Sequence, residues 1–485
     1  MNKINYLKYL KDYPVSWSIA LVFLIFFLCS SVRHALFESN AFELGIYDQV
    51  AYLISRGETP FSSFLEIHHM GNHAAWVMYP LALFYKIYPD VHWLLLVQAV
   101  SLALGALPAW SLAHQAGLNN SISRAIALAY LLYPLVFNVN LFDFHPEVIA
   151  LPAMLAAISA ARLNKTLWFC AAVVLVLSCK AVLSLTVAAM GFWLLFFEKK
   201  RTCGLIALFL GAGWFLVATQ AVIPYFNQGR EHAGIGRYEY LGNSVLEIAV
   251  NLILKPNLVL ARVFSLDTFE YLALLILPVI WWLSPKHLTP LISAVPMLAM
   301  NVLSDIPAQR DLIHQYSVPV LPFLLVAVIS TLADRNQQEV KQATILDKLS
   351  IPRTALSKII VIWSFIAFLV LAKYGYFWTI YLDSIDTWQA TREAIALVQT
   401  KGNVLTTSHI APHLTHRPAI KLTQAHAPPA NLTEFEYVLL NLRYPGWMSD
   451  REFVNNLITQ LKNTPQFKLK YQRDDIYLFI KSQQS

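Results

Sequence analysis

The sequence predicts a mainly α protein, a polytopic membrane helix bundle of about eleven spans plus interfacial helices, followed by a small C-terminal extracytoplasmic α/β domain. Three observations lead there. Of 485 residues, 57% are hydrophobic and 13% charged, with a mean hydropathy of +0.51, whereas about a quarter of the residues in a soluble domain carry charge. Apolar runs close to the roughly 20 residues that cross a bilayer recur from Trp17 to Phe377. From about Leu382 the hydrophobicity falls and short strand-like and helix-like runs alternate. Collagen, coiled-coil and disordered classes are excluded. The net charge of +7 in such a chain is loop charge that sets topology, and no nucleic-acid partner is expected.

The first run, Trp17 to Val32, follows Lys3, Lys8 and Lys11 and lacks a small-residue cleavage site, so it reads as a retained first span. Further spans fall at 92–113, 124–138, 148–161, 167–179, 181–197, 204–224, 270–284, 288–303, 315–333 and 358–379. The stretch 74–90 is placed at the interface, where Tyr79, Tyr85, Lys86 and Tyr88 suit the headgroup boundary. Segments on the N-terminal side then hold 15 Lys and Arg, against nine in the longer opposite loops up to residue 314. Retention of positive charge puts the N-terminus in the cytoplasm of a bacterial inner or plasma membrane. The division expected is a membrane domain over 1–380 and a soluble extracytoplasmic domain over 381–485. In the latter, 403–407, 437–441 and 476–480 read as strands, and 387–400 and 450–461 as helices. Cys29, Cys170, Cys179 and Cys203 share no metal-ligand spacing and lie in or beside apolar runs, which points to packing residues.

Polar residues of the non-cytoplasmic loops are the candidates for chemistry. In Phe42-Glu43-Leu44-Gly45-Ile46-Tyr47-Asp48-Gln49, either carboxylate, partly withdrawn from water, would have a raised pKa and serve as general base; equally, both fit solvated charges on a short interfacial helix. In Asn140-Leu141-Phe142-Asp143-Phe144-His145-Pro146-Glu147, an extended chain puts Asp143, His145 and Glu147 on one side. That set suits a divalent cation or a phosphate-bound metal, with Asp143 and His145 as the metal ligands. The plainer alternative is that Asp143 caps, and Glu147 complements, the start of the next helix. His69 and His73 stand four apart, as in half a metal site, or as ordinary hydrogen-bonding histidines. Lys180, between two short spans, suits an anionic phosphate or snorkels to the boundary. Arg230 and Arg237, in a loop with three glycines, suit a diphosphate or belong to a solvated loop. Gln309, Arg310 and His314 stay open in the same way.

The strings Phe42-Glu-Leu-Gly-Ile-Tyr-Asp-Gln, Gly71-Asn-His, Leu141-Phe-Asp-Phe-His-Pro-Glu and Ala218-Thr-Gln-Ala-Val-Ile-Pro-Tyr-Phe-Asn resemble a multi-pass membrane family, domain of unknown function 2079. That family looks like a branch of the GT-C glycosyltransferases, which take a sugar from a polyprenyl-phosphate carrier at the outer membrane face. The resemblance implies a catalytic or metal-binding acid in the first outer loop, which Glu43, or failing that Asp48, fits. It implies a second acidic motif in the next, which Asp143-Phe-His145 fits. Where the family shows aspartate this chain has Glu43, and where it follows its outer lysine with two acids this chain has Ala181 and Val182.

The function expected is transfer of a sugar from a polyprenyl-phosphate carrier to an acceptor at the outer face. Glu43 would act as base, Asp143, His145, Glu147 and His73 would contact substrate, and Lys180, Arg230 and Arg237 would hold the phosphate. A divalent cation is the one cofactor contemplated; the partners are the bilayer, the lipid-linked sugar and the acceptor. A transporter or flippase, or a noncatalytic scaffold, is the competing reading. Buried charges along the spans would favour the transporter, but within them only Lys180 and Lys373 stand out.

Overall fold

The computed structural model describes residues 12–228, 233–337 and 355–482. Each apolar run becomes helical, but the helices differ in length. Those long and apolar enough to cross a membrane are α1 (Tyr13–Ala35), α2 (His92–Gln115), α3 (Asn120–Leu141), α4 (Arg201–Phe226) and α5 (Gln315–Asn336). Two bent pairs, Pro256–Val263 with Leu266–Trp282 at 48° and Leu356–Leu371 with Lys373–Leu382 at 41°, raise the number among the described residues to as many as seven. The other expected spans are shorter: Glu147–Arg162 has 16 residues, Thr166–Cys179 and Leu183–Phe196 have 14 each, and Thr289–Leu303 is a short apolar helix. At 1.5 Å per residue a 14-residue helix covers about 21 Å, less than a hydrocarbon core of about 30 Å. About eleven spans were expected from hydropathy, which registers apolar length; the shorter helices end at breaks that the polar positions impose.

Local chemistry explains several of those breaks. Thr166–Cys179 stops because Lys180 is extended, which turns the chain back into Leu183–Phe196. That helix then packs against α4 at very close range. A Cβ on Gly211 would lie 2.5 Å from Ala188 N, so only glycine lets the backbones approach this far. Asn119 caps α3, its side chain accepting from Ile122 N–H at 2.9 Å. The stretch expected at the interface forms a helix of ten residues, Met78–Ile87, too short to cross.

Between α1 and α2 the chain makes a π turn, Ala41–Gly45, a helix, Ile46–Arg56, and a small hairpin, Phe61–Ser62 with Ile67–His68. The C-terminal region forms a five-stranded sheet. Its strands β1 (Val404–Thr406), β2 (Ile420–Leu422), β3 (Tyr437–Asn441), β4 (Phe467–Arg473) and β5 (Ile476–Lys481) are ordered β2-β1-β3-β5-β4. β1 runs parallel to β2 and β3, and β5 antiparallel to β3 and β4, with Val404 opposite both Ile420 and Tyr437. Helix Arg451–Lys462, capped by Asp450, covers one face through Val454, Leu457 and Leu461. The other face packs on Ala390 and Ala394 of helix Ile385–Ala396 and also on Ala41, Ile46 and Phe64 of the first loop. Gln49 and Ser63 seal that junction: Gln49 Nε2 donates to Arg417 O at 3.2 Å and Ser63 Oγ to Ile420 O at 2.8 Å.

Candidate functional site

The loop after α3 is anchored first. Asn140 Nδ2 donates to Phe26 O at 2.9 Å on α1, and Gln98 Nε2 of α2 donates to Asn140 O at 2.9 Å. Asp143 follows with φ 86°, a left-handed backbone that costs a non-glycine residue roughly 1–3 kcal/mol. Its carboxylate is what holds it there. One oxygen pairs with Arg33 at the end of α1, and the other accepts Asn40 N–H at 2.8 Å. Asn40 in turn caps the π turn by accepting Phe42 N–H at 2.9 Å. Asp143 therefore fixes the turn that carries Glu43.

Because Asp143 is left-handed, the alternation expected for an extended chain fails, and Asp143, His145 and Glu147 meet three different partners. His145, fully buried, pairs through Nε2 with the Glu43 carboxylate. Its Nδ1 lies 3.3 Å from Asp143 O, an oxygen that can only accept. Both ring nitrogens therefore face acceptors, which fixes how the ring is oriented. Glu147 begins the next helix and its Oε1 lies 2.6 Å from Lys180 Nζ, both side chains being 6% exposed. The acid that faces Lys180 is thus supplied by another helix. Lys180 and Glu43 are close enough to feel each other's charge, and Tyr47 stands within the field of Lys180, Glu147 and Glu43. The Tyr47 ring also stacks edgewise near Phe144 and His145, with centroids 5.6 and 6.2 Å away. Burial pushes its phenol up, so it remains a hydrogen-bond donor.

Burial tends to raise the Glu43 carboxyl, but the charge and hydrogen bond of His145, with help from Lys180 and His314, bring it below the ordinary carboxylate value. A raised pKa was expected, and the imidazole reverses it. About a quarter of the Glu43 side chain is exposed, which leaves the carboxylate reachable.

The remaining sequence candidates divide. Asp48 leaves this cluster: Tyr85 Oη donates to it at 2.6 Å, Thr415 donates to it, and His416 Nε2 lies 3.2 Å away. Five residues after Glu43, it faces the C-terminal region and is not a second base beside Asp143. His73 lies at the helix break, where its carbonyl accepts Ala181 N–H at 2.9 Å, while His69 is bound to Ala75 O at 3.0 Å. Arg237 stacks over Tyr316 at 5.3 Å, and the Tyr316 ring lies 6.3 Å from His314, itself 4.2 Å from Phe142. Arg237 is thereby at the edge of the cluster, whereas Arg230 lies outside the described residues. Arg310 is taken up by the carbonyls of Ser304 and Asn301. Arg33 and Tyr47 were not singled out in the sequence, although an arginine ending the first apolar run is a signal that could have marked one of them.

The fit to a divalent cation is poor. The Asp143 oxygens belong to Arg33 and Asn40, and the His145 ring to Glu43 and a carbonyl. Among the described residues no group of three or more His, Cys, Asp or Glu is disposed to hold a metal.

Beside the cluster runs an apolar groove of about 550 Å³, lined by Met70, Trp76, Leu177, Phe209 and Trp214, among others. Ala181, next to Lys180, packs in one cluster with Met70, Trp76 and Trp214. Charged groups at helix ends thus adjoin an apolar trough that runs along helices Thr166–Cys179 and α4.

These features define a multi-pass membrane protein of GT-C-like fold. The chain matches the family described as predicted membrane protein (DUF2079) over residues 33–478, and it belongs to that family. Its structure is similar to that of ArnT from Cupriavidus metallidurans bound to undecaprenyl phosphate. The TM-score is 0.55 at 12% identity, over 96% of this chain and 97% of that one. For the apo state of ArnT the TM-score is 0.54 at 13% identity, with the same coverage. No curated protein matches the sequence. At these identities the likeness is one of fold.

Proposed function

We propose that this protein is a membrane glycosyltransferase that takes a sugar from a polyprenyl-phosphate carrier at the outer membrane face. The observation that carries the reading is that the Lys180–Glu147 pair adjoins the apolar groove through Ala181, with the Glu43–His145 pair close enough to Lys180 to feel its charge. An amphiphilic donor needs such a place, an apolar trough for its chain and fixed charges for its phosphate. ArnT, similar in fold, binds undecaprenyl phosphate. The N-terminus would lie in the cytoplasm, and residues 381–485 would form a soluble domain outside.

Glu43 acts as general base, taking the proton of the acceptor hydroxyl as its oxygen attacks the anomeric carbon. The carrier phosphate leaves with the electrons of the broken bond. Lys180 meets that phosphate, and its bond to Glu147 is exchanged for one to the phosphate as the donor enters. Arg237 adds positive charge at the rim, and His73 lines the approach at the helix break. His145 holds Glu43 ionised and oriented, Tyr47 offers a hydrogen bond, and Asp143 acts through Asn40 as a positioning residue. No step passes through a metal.

A general base contributes roughly 10²–10⁴-fold to rate, so Glu43→Gln is expected to lose transfer by that factor. The assay is the full chain reconstituted with polyprenyl-phosphate sugar, with carrier binding retained. Equal rates in the two proteins would remove Glu43 as the base, and a solute crossing the membrane with no sugar consumed would replace the transferase by a transporter.

A further inference from the structure

A second polar cleft, of about 370 Å³, opens between the outer end of α1, the 89–92 turn and the C-terminal region at 395–417. Its acids are already matched. Asp48 faces His416 at 3.2 Å and Asp90 faces His92 at 2.6 Å. Its other two cations, Lys401 and Arg417, have no carboxylate within ion-pair distance among the described residues. Arg417 spends Nε on Leu414 O and Nη1 on Gly402 O, both at 2.6 Å, neutral oxygens that do not cancel its charge, on which Glu436 acts from further off. Lys401 lies over the Tyr52 ring at 5.5 Å, and Tyr52 stacks on His416 at 4.8 Å.

Burial, and then the charges of Arg417 and Arg56, push the Lys401 ammonium down. Two cations, Lys401 and Arg417, therefore share the lining of one cleft, and Arg56 stands one helical turn from Tyr52, the ring that Lys401 covers. In the wall, the His34 and His413 rings stack at 4.0 Å, and His413 Nε2 is buried without a partner among the described residues. An unused ring nitrogen beside uncompensated positive charge is a recognition surface for an anion.

The geometry points to this cleft as a binding site for a phosphate group, held by Lys401, Arg56 and Arg417. The site is separate from the Glu43–Lys180 cluster and does not rest on the transferase reading. The phosphate belongs either to a soluble ligand or to a lipid headgroup, and two arms distinguish them.

In the first, the full chain in detergent is titrated calorimetrically with inorganic phosphate at constant ionic strength. In the second, it is placed in nanodiscs of phosphatidylcholine with and without phosphatidylglycerol, and retained lipid is counted by native mass spectrometry. Lys401 and Arg56 are exposed, so the double variant Lys401→Gln, Arg56→Gln tests the site without burying a new group. Saturable binding is expected in at least one arm, and the arm identifies the source. Loss of charge-assisted bonds should weaken it roughly tenfold or more in the double variant. Absence of binding in both arms, or unchanged binding by the double variant, overturns the assignment.

Discussion

Replacing Glu147 by glutamine tests the buried pair on which the site is built. Glu147 and Lys180 are each 6% exposed and meet at 2.6 Å, while the second Glu147 oxygen has no partner among the described residues. The direct ion pair of the ammonium is with Glu147, and Tyr47 and Glu43 act on it from further off. Removing one partner of such a pair costs about 3–5 kcal/mol, whereas replacing both by apolar groups of similar volume is close to neutral. Glu147→Gln and Lys180→Met should each lose stability in that range. The double variant Glu147→Gln, Lys180→Met should cost far less than the two single costs added, giving a coupling energy of several kcal/mol. Unfolding of the full chain in mixed micelles, followed by tryptophan fluorescence, measures all of them in one cycle. A cost below about 1 kcal/mol for Glu147→Gln, the range of exposed pairs, refutes the reasoning, as does a double variant in which the single costs simply add.

Asp143→Asn should lower stability and transfer rate together, and added divalent cation should restore neither, because the carboxylate serves Arg33 and Asn40; rescue by metal in the transfer assay would contradict this. Burial lowers the His416 pKa but Asp48 more than offsets it, so the folded value is raised. The stabilisation from this pair is then fully present below the ordinary value of 6.5 and lost as pH rises through the folded value. The melting-temperature difference between the native protein and His416→Gln should shrink over that interval. Gly211→Ala, whose Cβ would lie 2.5 Å from Ala188 N, should cost about 1–3 kcal/mol by overpacking. Gly213→Ala, with nothing within 4 Å of its Cβ, should be neutral or slightly stabilising by the same unfolding assay.

The outer cluster was partly legible in the sequence because charge beside long apolar runs is costly and therefore conspicuous. Glu43, Asp143, His145, Glu147 and Lys180 were all singled out on that ground, and the structure brings them together. Their pairing was not legible, since it depends on a left-handed Asp143 that no residue-type preference announces. Asp48 was held as the alternative to Glu43, and its partners Thr415 and His416 lie too far along the chain for the sequence to show which way it faces. The tail strands β1, β3 and β5 stood out as β-branched and aromatic runs. β2, only Ile420-Lys421-Leu422, is too short to show a period, and β4 carries three positive charges among its seven residues. The packing of Ala41, Ile46 and Phe64 on the sheet was also out of reach, since it joins positions more than 300 residues apart.

That junction sets an order of events in the making of the protein. Asp48 waits for Thr415, and Gln49 for Arg417, partners 367 and 368 positions later. At synthesis rates of about 5–20 residues per second, this delay is roughly 20–70 s. Throughout it, Ala41, Ile46 and Phe64 lack the sheet that covers them, while the contacts of the same loop with Asp143 and His145 can already form. The charged cluster and the membrane helices can therefore assemble before this junction closes. The junction is completed last, and until then one face of the first loop keeps its apolar side chains uncovered.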